Sequence, residues 1–405
     1  MIHSLVIENF SSFHEPTFVE FTTGPKAGDR NIFLASSQGD TSVNSVTGVF
    51  GANASGKTNL LKAIAFLRYF ILDSASEKPD SRIPVEPFHF TEGAAERHEP
   101  IYFQLEFEYE EKLYRYELEI SHQRVQSEAL YRKDQRFRYL FERTWKPALG
   151  DYEFKHQDIG PSKQVAQREN ASFIASAVLQ EHDFAKYISG YFKKCYVNVH
   201  LYGRMPTHDP ESMNVIQATD YFSKHEDYLN AAIRHIAFAD TGISGIDLEP
   251  FKFLDDEGKE QSMLLPMAKH NIDGHDYKRP LVAESRGTQA LFVLLRYILP
   301  VLETGGVAVI DEFETGLHSH VVKYVVELFY SKKTNPKGAQ LIANFHTDYL
   351  LQSTLEKYQI VFTEKDPDTQ TTDAWRLDKV KGVARNANNH YAKYHAGAYG
   401  GIPNL

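Results

Sequence analysis

Gly51-Ala52-Asn53-Ala54-Ser55-Gly56-Lys57-Thr58 is the stretch on which the reading of this chain turns. It is a Gly-x-x-x-x-Gly-Lys-Thr loop, and both flanks have the character such a loop requires. Ser45-Val46-Thr47-Gly48-Val49-Phe50 is an apolar, β-branched run that reads as a strand leading in. Asn59-Leu60-Leu61-Lys62-Ala63-Ile64-Ala65-Phe66-Leu67 leads out with apolar residues at helical spacing. Strand, loop and helix in this order make a phosphate cradle. The glycines let backbone amides curl around an anion, and the helix N-terminus adds the positive end of its dipole. Lys57 is then a point charge for the β- and γ-phosphates, and the Thr58 hydroxyl is a ligand for Mg²⁺. Gly51, Asn53, Ala54, Ser55, Gly56, Lys57, Thr58 and Asn59 are the candidate contacts to a nucleoside triphosphate.

Around this loop the chain has 405 residues, enough for two or three units, and 42% of them are hydrophobic and 24% charged, which suits a globular protein. The one cysteine, Cys195, excludes an intramolecular disulfide framework and a cysteine-rich zinc site. A reducing compartment is expected. The opening Met1-Ile2-His3-Ser4-Leu5-Val6-Ile7-Glu8-Asn9-Phe10 lacks the basic stretch and long apolar core of a signal peptide. No run approaches the ~20 apolar residues of a membrane span. The expected location is therefore the cytoplasm, with no membrane partner. A net charge of −10 argues against a surface that binds nucleic acid throughout, while leaving room for local basic patches.

Leu5-Val6-Ile7-Glu8-Asn9-Phe10 and Thr17-Phe18-Val19-Glu20-Phe21-Thr22 read as a strand pair. Residues 73–100, with Pro79, Pro84, Pro87 and Gly93, read as loop. Ile101, Phe103, Leu105, Phe107 and Tyr109 then alternate with polar residues. After a turn near Glu111-Lys112, Tyr114, Tyr116, Leu118 and Ile120 do the same, which predicts an antiparallel hairpin with one buried face. From about 131 to 280 the character changes to a basic-aromatic segment followed by helical patterns such as Tyr228, Leu229, Ala232, Ile233 and Ile236. No heptad series runs through it, so a long coiled-coil arm is excluded. After Pro280, helices at 289–302 and 320–330 alternate with strands at 307–310 and 340–345, which implies a parallel or mixed sheet with helices on its faces. The expected organisation is residues 1–130 and 281–405 as the two parts of one nucleotide-binding domain, with 131–280 as a mostly helical insert.

Three further segments bear on the nucleotide. Gly306-Val307-Ala308-Val309-Ile310-Asp311-Glu312 is an apolar strand that presents two acids at the carboxyl edge of a sheet. There Asp311 can hold Mg²⁺, and Glu312 can orient or deprotonate an attacking water. Glu284-Ser285-Arg286-Gly287-Thr288-Gln289 is a Ser-x-Gly turn opening a helix; it fits an anion site, and an N-cap serine is the more common explanation of such a turn. Ile342-Ala343-Asn344-Phe345-His346-Thr347 ends a buried strand on a histidine, which alone is more often structural than chemical.

In this order the four segments resemble the ATP-binding-cassette (ABC) ATPases, in particular the RecF, SMC and OLD branch. The resemblance implies a fold: a two-lobed α/β ABC-type P-loop domain, a mixed sheet flanked by helices plus antiparallel β hairpins, with the inserted subdomain. It implies roles as well: Lys57 and Thr58 as Walker A residues, Asp311 as the Walker B aspartate and Glu312 as the catalytic glutamate. Ser285 and Gly287 would be the signature and His346 the switch histidine. It further implies ATP and Mg²⁺ as cofactors and head-to-tail pairing of copies, dimer or higher oligomer. Ser285 of one copy would complete the site around Lys57 of another. Ile7-Glu8-Asn9-Phe10-Ser11-Ser12-Phe13, Asp311-Glu312-Phe313-Glu314-Thr315-Gly316-Leu317-His318 and Gly397-Ala398-Tyr399-Gly400-Gly401-Ile402-Pro403-Asn404-Leu405 are similar to standalone prokaryotic AAA-family ATPases of the abortive-infection and RloA-like kind. That likeness implies slow ATP turnover serving as a switch, and a sensor role in antiviral defence that acts on a separate effector, a nuclease or toxin. Two positions depart from the pattern. Ser319 stands where a proline usually follows Gly-Leu-His, and the glutamine loop that normally ligates Mg²⁺ has only Gln104 and Gln126 as candidates.

Residues 131–146 interleave Arg132, Lys133, Arg136, Arg138, Arg143 and Lys146 with aromatics. They are the candidate surface for nucleic acid, against the alternative of an amphipathic strand with solvated arginines. That surface carries the competing function, a RecF-like repair ATPase acting on DNA itself. A scaffold gated by nucleotide without hydrolysis is the third class, and Glu312 speaks against it. Glu364-Lys365-Asp366-Pro367-Asp368 reads as a charged turn rather than a nuclease metal site. His318 with His320, and His270 with His275, lack further ligands to complete a metal shell.

Overall fold

The computed structural model describes residues 1–24, 32–90, 99–157, 168–199, 201, 210–239, 242–254, 257–383 and 389–402. Gly93 of the expected loop and the last three residues of the C-terminal motif lie outside these. The strand leading into the phosphate loop, Val46–Phe50, is buried along its whole length in a six-stranded sheet. The order is Cys195–Val197, Val307–Ile310, Gln340–Asn344, Val46–Phe50, Ile360–Lys365, Thr372–Arg376. The first five strands are parallel and the sixth pairs antiparallel.

Both faces of this sheet are covered, which is why its strands are unbroken apolar runs. Val307, Val309 and Ile342 face the helix Lys57–Asp73 and share a core with its Leu60, Phe66 and Leu67. Ala308, Ile310, Leu341 and Ala343 point the other way, into a core with Leu291, Phe292 and Leu295 of the helix Arg286–Thr304 and Val322 and Val325 of the helix Ser319–Glu327. Leu60, Leu61, Phe66, Leu67 and Phe70 are fully buried. At roughly 1.5–3 kcal/mol per side chain this burial fixes the helix, and with it the loop at its N-terminus.

The far side of the helix Lys57–Asp73 packs on a second, seven-stranded sheet, so the helix lies between two sheets. Here Ile2–Glu8 pairs antiparallel with Thr17–Glu20 and with Ile101–Tyr109, which pairs with Lys112–Ile120. The hairpin turn is Glu110-Glu111, one residue earlier than expected, with φ of 49° and 62° at the two positions. Two consecutive left-handed residues match the right-handed twist of the flanking strands.

The boundary expected at 131 falls inside the strand Val125–Lys133, so it is not a domain boundary. With Phe137–Lys146 and Asp151–His156, that strand completes the seven-stranded sheet. The physical reason for the misplacement is a pair of inward charges. Arg143 and Glu128 are both 0% exposed by side chain and 2.6 Å apart, and Tyr116, Ser172 and the Phe173 amide also donate to Glu128. Charge at core positions breaks the apolar alternation by which a strand is recognised.

The helical part of 131–280 is accordingly narrower than expected. It comprises Phe173–Leu179, Asp183–Lys193, Pro210–Ser223 and Glu226–Ala239, interrupted by the core strand Cys195–Val197. The stretch ends in a three-stranded antiparallel sheet, Gly245–Leu254, Glu260–Ile272 and His275–Pro280, which leads directly to Ser285.

Candidate nucleotide site

Four of the parallel strands end together. Val46–Phe50 gives way to the phosphate loop, Val307–Ile310 to Asp311 and Glu312, Gln340–Asn344 to His346, and Cys195–Val197 to Asn198. Ligands of such sheets bind beyond these carboxyl ends. Thr58 Oγ1 donates to Asp311 Oδ1 at 3.0 Å, joining the two lobes of the motif across 253 residues of chain.

The loop is shaped by left-handed backbone and braced from behind. Ala54 and Gly56 have φ of 62° and 105°. A Cβ on Gly51 would lie 2.3 Å from the Thr363 carbonyl oxygen, and one on Gly56 2.5 Å from Thr372 Cγ2, so both positions require glycine. Ser55 Oγ bonds Thr363 Oγ1 at 2.7 Å, and Thr372 Oγ1 donates to the Ser55 carbonyl at 3.1 Å. Asn59 turns away to this brace, its amide donating to Ser12 Oγ at 2.8 Å. Lys57 is 4% exposed and donates to the carbonyls of Gly51 and Ala52, each at 2.8 Å. Burial pulls its ammonium below the usual range, and the charges of Glu314 and then Asp311 act against that shift.

The acidic turn is held by two asparagines that the sequence reading gave no role. Asn198 accepts the Asp311 amide at 2.7 Å and donates to the Asp311 carbonyl at 3.0 Å. Asn344 donates to the Asp311 carboxylate and accepts the Glu312 amide. Glu312 sits at φ 51°, a left-handed conformation that costs of order 1–3 kcal/mol in a side chain of this kind and persists only where neighbours enforce it. Its carboxylate accepts from Thr315 Oγ1 at 3.2 Å. Glu314, two residues on, accepts the backbone amides of His346 and Thr347. The His346 ring itself is exposed.

Ser285 caps the helix Arg286–Thr304, its Oγ accepting the Thr288 amide at 3.1 Å. The N-cap alternative is therefore realised. The turn is also joined to the acidic turn, since a Cβ on Gly287 would lie 3.0 Å from the Gly316 carbonyl oxygen. Among the described residues no hydrogen bond links Ser285 to the phosphate loop of its own chain. The two glutamine-loop candidates lie in the seven-stranded sheet, Gln104 on Ile101–Tyr109 and Gln126 on Val125–Lys133. It is Asn198 that follows the strand beside Asp311.

Part of the basic-aromatic segment is spent within the fold, while Arg136 and Arg138 are exposed. Arg143 is buried against Glu128, Arg132 pairs with Asp134 at 3.2 Å, and Lys146 pairs with Glu153 at 3.1 Å. Asp366 accepts the amides of Asp368 and Thr369, as a structural turn does, and Glu364 accepts the Gly401 amide. Among the described residues no cluster of three or more His, Cys, Asp or Glu could hold a metal ion, and no helix is long and apolar enough to cross a membrane.

The fold is a mainly parallel sheet flanked by helices, with the Gly-x-x-x-x-Gly-Lys-Thr loop and the acidic turn joined at its strand ends. The family described as "AAA domain, putative AbiEii toxin, Type IV TA system" matches residues 46–352, and the chain belongs to that family. It is an ATP-binding ATPase of this type. Among solved structures, an SMC head bound to the C-winged helix domain of ScpA is similar at 14% identity, over 93% of this chain and 99% of that one, with a TM-score of 0.47. The SMC head domain from Thermotoga maritima gives 14% identity, 93% and 98% coverage and a TM-score of 0.42. An Smc head from Pyrococcus furiosus with an extended coiled coil, bound to the C-terminal domain of ScpA, gives 14%, 93% and 97%, and 0.37. A search of curated proteins gives no match.

Proposed function

We propose that the chain hydrolyses ATP with Mg²⁺ at a site shared between two copies, and that this slow cycle governs a separate nuclease or toxin in antiviral defence. The observation that carries the hydrolytic part is the Thr58–Asp311 contact at 3.0 Å with Glu312 next in the chain. It puts two hard oxygens and a further carboxylate beyond the same sheet edge as the phosphate loop, a donor set that suits Mg²⁺. The family's description as a putative AbiEii toxin of a Type IV TA system supports a place in a toxin-linked system.

In this reading Lys57 leaves the carbonyls of Gly51 and Ala52 and meets the β- and γ-phosphates, where its partial desolvation strengthens the attraction. Thr58 and Asp311 would hold Mg²⁺, which when bound would neutralise charge on the phosphates. Asn344 keeps Asp311 and Glu312 in register with one another. Glu312 takes the proton of the water whose oxygen bonds to the γ-phosphorus as the bond to ADP breaks. His346 faces the γ-phosphate, and Ser285 and Gly287 of a second copy close the cage from the opposite side. One copy alone offers half a cage, so ATP acts as the link between two.

Glu312→Gln tests this. It should lower steady-state hydrolysis by roughly 10²–10⁴-fold while ATP binding persists and a nucleotide-bound oligomer accumulates. Unchanged hydrolysis would remove Glu312 from the role of general base.

A further inference from the structure

The C-terminal glycine-rich motif has no part in the site described above, yet its turn lies against the strands that back the phosphate loop. Gly400 and Gly401 adopt φ of 72° and 71°. The Gly401 amide donates to Glu364 Oε2 at 3.1 Å, and its carbonyl accepts from the Tyr394 hydroxyl at 3.0 Å. Trp375 Nε1 donates to the Tyr399 carbonyl at 3.2 Å, so both members of the strand pair Ile360–Lys365 and Thr372–Arg376 are tied to the turn. A Cβ on Gly400 would lie 2.8 Å from Glu364 Oε2 and 2.8 Å from the Trp375 ring, so only glycine seats the turn this closely. The residue before Glu364 is Thr363, which is fully buried and touches the phosphate loop at its start and near its end. Its hydroxyl donates to the Phe50 carbonyl at 3.4 Å and shares a hydrogen bond of 2.7 Å with Ser55 Oγ. Its carbonyl oxygen closes off the space a Cβ on Gly51 would need, and stands 3.5 Å from where one on Gly401 would fall. Thr363 is thus packed between the loop on one side and the C-terminal turn on the other.

We infer that the turn at residues 397–402 is a positioning element for the phosphate loop, with Thr363 as the positioning residue through which it acts. Deepening the reading above, the inference rests on ATP being the ligand of that loop. A cradle of backbone amides binds phosphate well only when those amides already point at it; a loop that must first be ordered binds more weakly. Glu364 and the glycine turn hold Thr363 from behind. Thr363 in turn holds Phe50 and Ser55, and the amides between them stay in the anion-binding curl. The affinity of the loop for nucleotide therefore depends on the seating of a turn at the far end of the chain.

Variants of the full chain test this, read by hydrogen exchange of a peptide covering 51–56 without nucleotide, by Kd for ATP and by kcat. Thr363→Val keeps the branched shape and removes the hydroxyl. It is expected to exchange faster and to raise Kd ~10-fold, with kcat within ~3-fold of the parent. Glu364→Ala frees the turn and is expected to act in the same direction, raising Kd ~5-fold. Thr363→Ser keeps the hydroxyl and Glu364→Gln keeps an acceptor oxygen, so both should show slow exchange and a Kd within ~2-fold of the parent. Because the turn acts through Thr363, the double variant Thr363→Val with Glu364→Ala should bind within ~2-fold of Thr363→Val alone. Parental exchange and Kd in Thr363→Val and Glu364→Ala would overturn the inference, and so would losses that multiply in the double variant. A lower kcat at unchanged Kd would overturn it as well. A parent chain that does not bind ATP would count against the reading of the loop instead, while the exchange comparison still decides whether the turn positions it.

Discussion

Asn198 and Asn344 show how much of the site rests on residues that carry no motif. Each spends its amide on the acidic turn, Asn198 on the backbone of Asp311 and Asn344 on the Asp311 carboxylate and the Glu312 amide. Asn344 stands within a segment whose histidine drew attention, and its own geometry depends on strands 32 residues apart. Asn198 is less legible still. Its strand has three residues, and its partner Val307–Ile310 lies more than a hundred residues downstream, so nothing local marks it. By contrast, the phosphate loop and acidic strand are local patterns with local physics, and they were readable as such. Asn198→Ala is expected to cost about 1–3 kcal/mol, because it leaves the amide and carbonyl of Asp311 without their partner. The loss should appear in chemical denaturation, together with a fall in kcat of ~10-fold and retained ATP binding.

At the scale of elements, strands followed from the sequence where their inward residues are apolar and failed where those residues are charged. Ile101–Tyr109 and Lys112–Ile120 alternate cleanly and were placed to within a residue. Val125–Lys133 and Phe137–Lys146 carry Glu128 and Arg143 inward, which hides their alternation in the sequence. A buried pair of this kind contributes little over an apolar pair, but removing one member costs about 3–5 kcal/mol. A second buried acid on the same sheet gives a pH signature. Glu108 is 6% exposed. Burial would raise its pKa, but hydrogen bonds from His3, Ser36 and Ser37 outweigh that and lower it from 4.5 to about 2. Because the folded value is the depressed one, its stabilisation is fully present above pH 4.5. It is lost as pH falls toward 2. Glu108→Gln should therefore destabilise the protein by up to about 3 kcal/mol at neutral pH and flatten the acid limb of its stability curve between those values. Urea titrations at a series of pH values would read both effects.

For the molecule as a whole, the two sheets and the helix Lys57–Asp73 between them place four strand ends in one row, and the family match covers that row from residue 46 to 352. The helix that carries Ser285 caps its own end and leans on the acidic turn at Gly316. It leaves the phosphate loop to be met from outside. That arrangement is the reason for proposing a site divided between copies, and mixing two disabled variants tests it most directly. Lys57→Ala and Ser285→Arg should each be inactive alone. If the site is shared head to tail, a mixed pair holds one site lacking both residues and one fully intact, so an equimolar mixture should regain about a quarter of the parental ATPase rate. A mixture that stays at the level of the separate variants, with both folded and still able to associate, would contradict the shared site.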